Sequence, residues 1–179
     1  MPRLFIAIDL PGQLKTEISV LCAYGLPGVA WVDSDQLHLS LRFVGEVNEQ
    51  VSESIQTCLL KVQQSSFSMT LQGVGTFPGG KSPRVIWVGV EKNKSLLQLK
   101  NKVEYQLNRI SIEGEKRRFH PHVTIGRVKT SKIKRIGDYL AHFDLYRSEP
   151  FPVERISLFS SLLTPVGAKY TKLMDYPLR

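Results

Sequence analysis

Apolar and polar residues repeat with two different periods along the chain, and these periods predict strands and helices in turn. Residues 3–9 alternate as a strand and end at Asp9-Leu10-Pro11, where a proline at an early helical position is typical of a helix start. Leu14, Ile18 and Leu21 then recur at helical spacing. The sequence therefore begins with a predicted strand followed by a predicted helix.

The two periods continue to alternate along the rest of the chain. Leu37 to Val44 alternates as a strand, and Asn48 is placed to cap the helix that follows it. That helix carries Val51, Ile55, Leu59 and Val62 on one face. The later predicted elements are strands around 67–76 and 84–90 joined by a Gly/Pro-rich loop from Phe77 to Pro83, a helix carrying Leu96, Leu99, Val103, Leu107 and Ile110, a strand from His122 to Val128, a short helix with Ile133, Ile136 and Leu140, and strands near 153–160 and 169–176 separated by Thr164-Pro165-Val166-Gly167.

The predicted elements repeat in the same order. A helix, a histidine-bearing strand, a second helix and two strands occur twice, and His38 and His122 are separated by close to half the chain. We interpret this order as an internal duplication of roughly 1–90 and 91–179 within a single domain, 1–179. The predicted fold is α+β, with two pseudo-symmetric lobes. A cleft between such lobes is a favoured place for a ligand site.

Composition narrows the protein class. A chain of 179 residues can bury a core without disulfides or structural metal. Cys22 and Cys58 both fall in predicted helices without a metal-ligand spacing, so we interpret them as reduced core thiols. The apolar N-terminal run is short and is interrupted by Asp9, which favours a buried strand over a signal peptide. We expect a cytoplasmic monomer that is not inserted in a membrane.

Positive charge is concentrated in one part of the chain. The formal net charge is +8, and no acidic residue interrupts the basic run from Lys116 to Arg135. This basic run comprises Lys116, Arg117, Arg118, Arg127, Lys129, Lys132, Lys134 and Arg135. Such a run is usually a solvated face, but it brackets His122 and so favours a polyanionic substrate. Both interpretations stay open from composition alone.

Two short segments combine a histidine with a hydroxyl residue two positions later. They are His38-Leu39-Ser40-Leu41 and His122-Val123-Thr124-Ile125. Because residues two apart on a strand share a face, each segment presents an imidazole and a hydroxyl to one side and aliphatic side chains to the other. Two imidazoles with near-neutral pKa values can supply a base and an acid for opening a cyclic phosphate, while the hydroxyls hydrogen-bond the phosphate oxygens.

Other roles for these residues have less support. A zinc site normally needs three protein ligands, and His38 and His122 have no acidic or thiol companion at ligand spacing. Ser40 lacks the sharp turn of a nucleophile elbow. His120 and His142 lack a paired hydroxyl, so we expect structural roles for both.

Longer segments around the two histidines resemble a known family. They are Leu4-Phe5-Ile6-Ala7-Ile8-Asp9-Leu10-Pro11, Leu37-His38-Leu39-Ser40-Leu41-Arg42-Phe43-Val44-Gly45-Glu46, Pro83-Arg84-Val85-Ile86-Trp87-Val88-Gly89-Val90 and Phe119-His120-Pro121-His122-Val123-Thr124-Ile125-Gly126-Arg127. With these flanks, the chain resembles the two-histidine phosphoesterase superfamily along nearly its whole length. Within that superfamily it is similar to the RNA 2′,3′-cyclic phosphodiesterases once called 2′-5′ RNA ligases.

The resemblance implies a fold, a reaction and a set of residue roles. It implies a bilobal α+β fold with an antiparallel sheet in each lobe, and hydrolysis of an RNA or nucleoside 2′,3′-cyclic phosphate to the 2′-phosphate without a cofactor. It implies that His38 is the proton donor and His122 the proton acceptor. It further implies the following contacts: Ser40, Thr124 and Arg127 with the phosphate, and Phe43 with the base.

Two features depart from a simple transfer of these roles. The first segment has Ser40 where threonine is commoner, which keeps the hydroxyl and loses the methyl group that stiffens the side chain. Simple alternation also places Phe43 and Arg127 on the face opposite the histidines, so a bulge or a strong twist is required to bring them to the cleft. Without such a distortion, Phe43 is a core residue and Arg127 a solvated one.

Two alternative functions accompany the phosphodiesterase. One is an RNA-end or nucleotide-binding module with little turnover, against which the intact histidines and hydroxyls argue. The other is RNA ligation, the reverse reaction, which bulk water disfavours. The sequence does not distinguish a specific RNA from a small cyclic nucleotide as substrate.

Overall fold

One large antiparallel sheet organises the chain. The computed structural model describes residues 1–78, 82–130, 132–165 and 167–179. Within these ranges the strands are β1 (Arg3–Asp9), β2 (Val29–Trp31), β3 (His38–Glu46), β4 (Phe67–Met69), β5 (Leu71–Pro78), β6 (Pro83–Val90), β7 (His122–Val128), β8 (Phe151–Val153), β9 (Arg155–Thr164) and β10 (Gly167–Pro177). The helices are α1 (Gly12–Ala23), α2 (Glu49–Leu59), α3 (Lys94–Asn108) and α4 (Ile136–His142), and a short 3-10 turn spans Ser34–Gln36.

The strand order of the large sheet is β10-β9-β1-β3-β7-β6-β5, and β2 adds to β7 beside this path. Strands β4 and β8 form a separate two-stranded sheet. Every pairing between these strands is antiparallel. The predicted α+β class with antiparallel strands is therefore confirmed.

The two histidine-bearing strands meet at the centre of the sheet. Strands β3 and β7 are joined through one pair of residues, Leu39 and Val123. The predicted fold has a separate sheet in each lobe. In the structure the strand order is continuous, and the two parts of the sheet are joined only through this pair of residues. Both junction residues are fully buried.

Each side of the junction draws strands from both halves of the sequence. One side contains β10, β9, β1 and β3 in that order, and the other contains β7, β6 and β5. Strands β5 and β6, which come after the His38 strand in the sequence, therefore lie on the side of His122, and β9 and β10, which come after the His122 strand, lie on the side of His38. The boundary between residues 1–90 and 91–179 does not divide the sheet, and the internal duplication stays a prediction.

Helices cover one face of the sheet, as the apolar patterns predict. Leu4, Ile6 and Ile8 of β1 belong to the same buried cluster as residues of all four helices. The apolar residues predicted for α1, Leu14, Ile18 and Leu21, are all buried. The predicted cap of α2 is also present, since the Asn48 side chain accepts a hydrogen bond from the backbone N–H of Val51. The opposite face of the central strands is left for the site described below.

Several element boundaries differ from the predictions. The strand predicted at 67–76 is split into β4 and β5, and the three-residue strands β2 and β8 were not predicted as separate elements. The predicted loop from Phe77 to Pro83 is shorter, because Phe77 and Pro78 belong to β5 and Pro83 to β6. Gly79, Gly80 and Lys81 of that loop, and Val166 of the predicted turn before β10, lie outside the described residues.

Candidate functional site

A cleft of about 640 Å³ lies on the sheet face at the junction of β3 and β7. Its walls include all six side chains singled out from the sequence, namely His38, Ser40, Phe43, His122, Thr124 and Arg127. The structure therefore brings the complete predicted set into one cavity, in the size range usual for small-molecule sites.

The junction arranges the two histidine–hydroxyl pairs around a local two-fold relation. Because β3 and β7 run antiparallel through the pair formed by Leu39 and Val123, His38 flanks Thr124 and Ser40 flanks His122 across the junction. All four side chains are partly buried and face the cleft. Each histidine thus has one hydroxyl on its own strand and one on the neighbouring strand.

A β-bulge interrupts each histidine strand at the same relative position. In β3 the pairing with β1 passes from Ser40 to Arg42 and skips Leu41. In β7 the pairing with β6 passes from Thr124 to Gly126 and skips Ile125. Each skipped residue lies three positions after its histidine and is buried, so the two distortions are structurally equivalent.

These bulges reverse the faces that simple alternation assigns. Arg42 and Gly126 are buried, whereas Phe43 and Arg127 are exposed and line the cleft. The expectation from unbroken alternation, a core Phe43 and a solvated Arg127 away from the site, is wrong for this reason. The guanidinium of Arg3 lies 5.0 Å from the centre of the Phe43 ring and packs on it.

Both imidazole rings are held by the backbone in the same way. Nδ1 of His38 lies 2.7 Å from the carbonyl oxygen of Gln36, and Nδ1 of His122 lies 2.7 Å from that of His120. A carbonyl oxygen only accepts, so each Nδ1 carries the proton and donates it. Each Nε2 is therefore the nitrogen that can exchange a proton in the cleft.

Aromatic rings surround His38 on the cleft face. The ring centres of Phe5 and Tyr170 lie 4.9 Å and 5.2 Å from that of His38, and the Tyr170 ring is perpendicular to the imidazole. Burial lowers the pKa of His38 below its usual value, and the charges of Lys15 and Arg127 lower it further. The hydrogen bond to Gln36 and the charge of Asp9 oppose this shift without cancelling it.

Asp9 faces His38 in the register of β1 and β3. Its carboxylate contacts Nζ of Lys15 at 2.7 Å and Nζ of Lys172 at 3.2 Å. Burial raises the pKa of Asp9, but the two lysines outweigh that effect and hold the pKa below its usual value. The equivalent position opposite His122 is Gly89, so only His38 has a carboxylate across the strand pair.

His122 lies against a different set of rings. Phe77 meets it edge-on at a ring-centre distance of 4.7 Å, and His120 lies at 6.2 Å. Burial lowers the pKa of His122, the hydrogen bond to the His120 carbonyl opposes this shift, and the electrostatic effect of the neighbouring His120 ring adds to it. His120 was expected to be structural, and its carbonyl does orient the neighbouring ring; no pairing pattern in the sequence signals this contact.

The basic run contributes only part of its charge to the cleft. Arg127 and Lys129 line the cavity, whereas the other members of the run are absent from its walls. Two further cations come from elsewhere in the chain, Arg3 of β1 and Lys169 of β10. Arg3 and Lys169 are not among the predicted site residues, because their strands join the site only through the order of strands in the sheet.

The remaining chemical groups lie apart from the cleft. His142 ends α4 and packs edge-on against Phe143. Cys22 and Cys58 are free thiols in α1 and α2, and burial raises the pKa of Cys22 to about 11. In the ranges described above, no three histidine, cysteine or acidic side chains group together as metal ligands. No helix in those ranges is long and apolar enough to cross a membrane.

The fold and the cleft define a class of protein: an antiparallel α+β sheet that presents two equivalent histidine–hydroxyl strands, each bulged, to a basic cavity. Comparison with known proteins gives the family. Residues 14–164 match the model of the 2′-5′ RNA ligase superfamily, and the chain belongs to that superfamily. The family predicted from the paired histidine segments is confirmed.

Individual relatives agree with this membership. An RNA 2′,3′-cyclic phosphodiesterase from Thermotoga maritima is 36% identical over 178 residues, covering 97% of this chain and 94% of the relative. One from Archaeoglobus fulgidus is 33% identical over 173 residues, covering 96% and 97%. The crystal structure of Escherichia coli LigT in apo form superposes with a TM-score of 0.80 at 28% identity, covering 99% of this chain and 98% of that one. The chain is thus an enzyme of this superfamily.

Proposed function

We propose that this protein hydrolyses the 2′,3′-cyclic phosphate at an RNA end or on a nucleoside to the 2′-phosphate, with His38 as proton donor and His122 as proton acceptor and without a metal ion. The observation that carries the proposal is the pair of backbone-held imidazoles, each with Nε2 available to one cleft. The names of the relatives support the substrate class, and the resemblance supports the direction of the two roles.

The reaction uses one proton transfer at each histidine. Nε2 of unprotonated His122 takes a proton from water as its oxygen attacks phosphorus. The bond from phosphorus to the 3′ oxygen breaks, and Nε2–H of protonated His38 delivers a proton to that leaving oxygen. The products are a 2′-phosphate and a 3′-hydroxyl, and exchange with solvent restores both rings.

The remaining cleft residues hold the phosphate and the base. Ser40 and Thr124 donate hydrogen bonds to the non-bridging oxygens, where negative charge increases in the transition state. Arg127 offers a guanidinium to the same group. Phe43, with Arg3 packed on its ring at 5.0 Å, presents a stacking surface for the terminal base.

Structures of the Escherichia coli relative give independent support for a nucleotide ligand. They are described as LigT complexed with 3′-AMP and LigT complexed with ATP, and both superpose over 99% of this chain. By analogy, we assign nucleotide binding to the cleft of this protein. A cytoplasmic location and a monomeric state stay predictions.

Alanine substitution of the two histidines tests the mechanism. We expect His38→Ala and His122→Ala each to lower kcat on a 2′,3′-cyclic nucleotide by at least about 100-fold, because each removes one proton-transfer step. Turnover is measured with and without a chelator, and circular dichroism verifies folding. His142→Ala is the matched control, since His142 lies at the end of α4, and it should retain full activity.

The products decide between this function and the alternatives. Near-normal turnover in either alanine variant would refute the acid–base pair, and loss of activity in chelator would refute the metal-free mechanism. A 3′-phosphate product would correct which bond breaks. Joined RNA strands would indicate ligation, and tight binding without any product would indicate a binding module.

A further inference from the structure

The cleft carries more positive charge than one cyclic phosphate requires. Four cations line it, Arg3, Arg127, Lys129 and Lys169, and Asp33 is the acidic residue on its described walls. None of the four forms an ion pair with a described residue, whereas Lys15 and Lys172 nearby are both paired with Asp9. A cyclic phosphodiester has a single negative charge. The unpaired cations therefore indicate a ligand with at least one further phosphate.

These cations are distributed along the cleft. Because β3 and β7 are antiparallel, Phe43 with Arg3 lies toward one end, and Arg127 followed by Lys129 toward the other. Allowing for the two bulges, about six strand rises separate Phe43 from Arg127, or roughly 20 Å. If the terminal base stacks on Phe43 and the cyclic phosphate reacts at the junction, the Lys129 end of the cleft is free for a different part of the ligand.

Strand β2 supports the end of the cleft that contains Arg127 and Lys129. Strand β2 pairs with β7 there, with Ala30 opposite Arg127. The backbone N–H of Lys129 donates to the carbonyl of Gly28 at 2.8 Å, which fixes the start of the Lys129 side chain. Ala30 is small and exposed, so it leaves space beside the two cations.

Lys169 reaches the cleft from the edge strand on the His38 side of the junction. It lies on β10, four places from β7 in the strand order, yet both strands contribute to one cleft. Lys169 also lines an adjoining hollow of about 390 Å³ together with Gln36 and His38. Lys129 and Lys169 therefore line the same cleft from strands on opposite sides of the junction.

We propose that Lys129 and Lys169 bind a second phosphate, the 5′ linkage that joins the terminal nucleotide to the preceding one, so that the cleft selects RNA ends over free cyclic nucleotides. This inference rests on the proposed function for the position of the reacting phosphate. Two long flexible cations suit a phosphate whose exact position varies with the sequence of the RNA.

Substrates that differ only in the second phosphate test the inference. The values of kcat/KM are compared for a nucleoside 2′,3′-cyclic phosphate, the same nucleotide with a free 5′-phosphate, and a dinucleotide ending in the same cyclic phosphate. A fourth substrate replaces the internucleotide linkage of that dinucleotide with an uncharged methylphosphonate. We expect the dinucleotide to be preferred and the methylphosphonate to lose that preference. If the cyclic nucleotide with a free 5′-phosphate is also preferred over the plain cyclic nucleotide, a terminal phosphate is sufficient for the contact with the lysines.

Single substitutions assign the effect to the two lysines. Lys129→Ala and Lys169→Ala should each lower kcat/KM on the dinucleotide by about fivefold, the effect of one partly exposed charge contact. Activity on the cyclic mononucleotide should stay unchanged. Lys134→Ala is the matched control, because Lys134 belongs to the same basic run but does not line the cleft.

The outcomes separate this inference from the function on which it rests. Equal kcat/KM for the charged and uncharged dinucleotides, or an equal loss on mononucleotide and dinucleotide in the lysine variants, would overturn it while leaving the phosphodiesterase intact. If no substrate is hydrolysed, the proposed function fails. In that case the affinity for an unreactive dinucleotide 3′-phosphate tests the role of the two lysines. If they bind the second phosphate, both lysine variants should bind this dinucleotide more weakly than the unsubstituted protein does.

Discussion

At the scale of single residues, two backbone carbonyls determine how the histidines can act. The carbonyls of Gln36 and His120 each accept the Nδ1 proton of the histidine two residues later. This contact fixes the tautomer and the ring plane, and it gives Nε2 of both rings the same relation to the cleft. The sequence predicts the two histidines but not this restraint, because a backbone acceptor can be supplied by any residue type.

The pH dependence of the reaction follows from the burial of these two rings. Burial lowers the pKa of His38 and of His122 in the free enzyme. As pH rises through the lowered pKa of the acid, that ring loses its proton and kcat/KM falls; as pH falls through the pKa of the base, that ring is protonated and kcat/KM also falls. We therefore expect a bell-shaped kcat/KM profile whose maximum lies below about pH 6.5.

Substrate binding should move this profile in a known direction. A bound phosphate anion stabilises both imidazolium forms, so the profile of kcat should lie at higher pH than that of kcat/KM. Both profiles are measured with a cyclic mononucleotide. A kcat/KM maximum above pH 8 would contradict the effect of burial on the two rings.

At the scale of elements, a pair of equivalent bulges makes the site. The sequence predicts β3 and β7 with nearly correct bounds, but unbroken alternation places Phe43 and Arg127 on the wrong face, and only the family resemblance assigns them to the site. The reason is physical: the bulge buries Arg42 and exposes Phe43, against the hydrophobic pattern. Strands β2 and β8 were not predicted, because three residues are too few to show alternation.

Gly126, the residue after the β7 bulge, has little room for a side chain. A Cβ at this position would lie 2.8 Å from Cγ1 of Val29 and 3.0 Å from Cε3 of Trp31, both on β2. We expect Gly126→Ala to push β2 away and to lower the free energy of unfolding by about 1–3 kcal/mol. Urea denaturation measures the change.

A second glycine provides the control for this substitution. Gly137 lies in α4, and a Cβ added there would meet nothing within 4 Å. Gly137→Ala should therefore leave stability unchanged or raise it, because alanine favours a helix. If Gly126→Ala is as stable as Gly137→Ala, the close approach of β2 to Gly126 does not limit the fold.

At the scale of the whole molecule, each half of the sequence contributes strands to both sides of the junction, so residues from both halves line the cleft. The sequence predicts two similar halves and the superfamily, since those depend on local patterns and quoted segments. It does not predict that β9 and β10 lie on the side of His38, because strand order depends on long-range pairing. For the same reason Lys169 and Arg3 were not among the predicted site residues.

A partly buried group of charges, in which Arg42 and Lys100 are the buried members, also connects the halves. Arg42 contacts the carbonyl oxygen of Glu113, and its Nε lies 3.4 Å from Oε1 of Glu104 on α3. Lys100 pairs with Glu104 and lies 3.6 Å from Oε2 of Glu115. The group holds the segment before His122 against the bulge that orients Phe43.

Removing Arg42 should leave this group with one excess negative charge close to the buried Lys100. We expect Arg42→Ala to lower the free energy of unfolding by about 3 kcal/mol, whereas Arg155→Ala, which breaks an exposed ion pair at 3.8 Å, should change it by no more than about 0.5 kcal/mol. Adding Glu104→Ala to Arg42→Ala removes the charge left behind, so the double variant should lose less stability than the sum of the two single variants. Additive losses in urea denaturation would show that the two side chains act independently and that packing, rather than charge balance, holds the two halves of the chain together at this point.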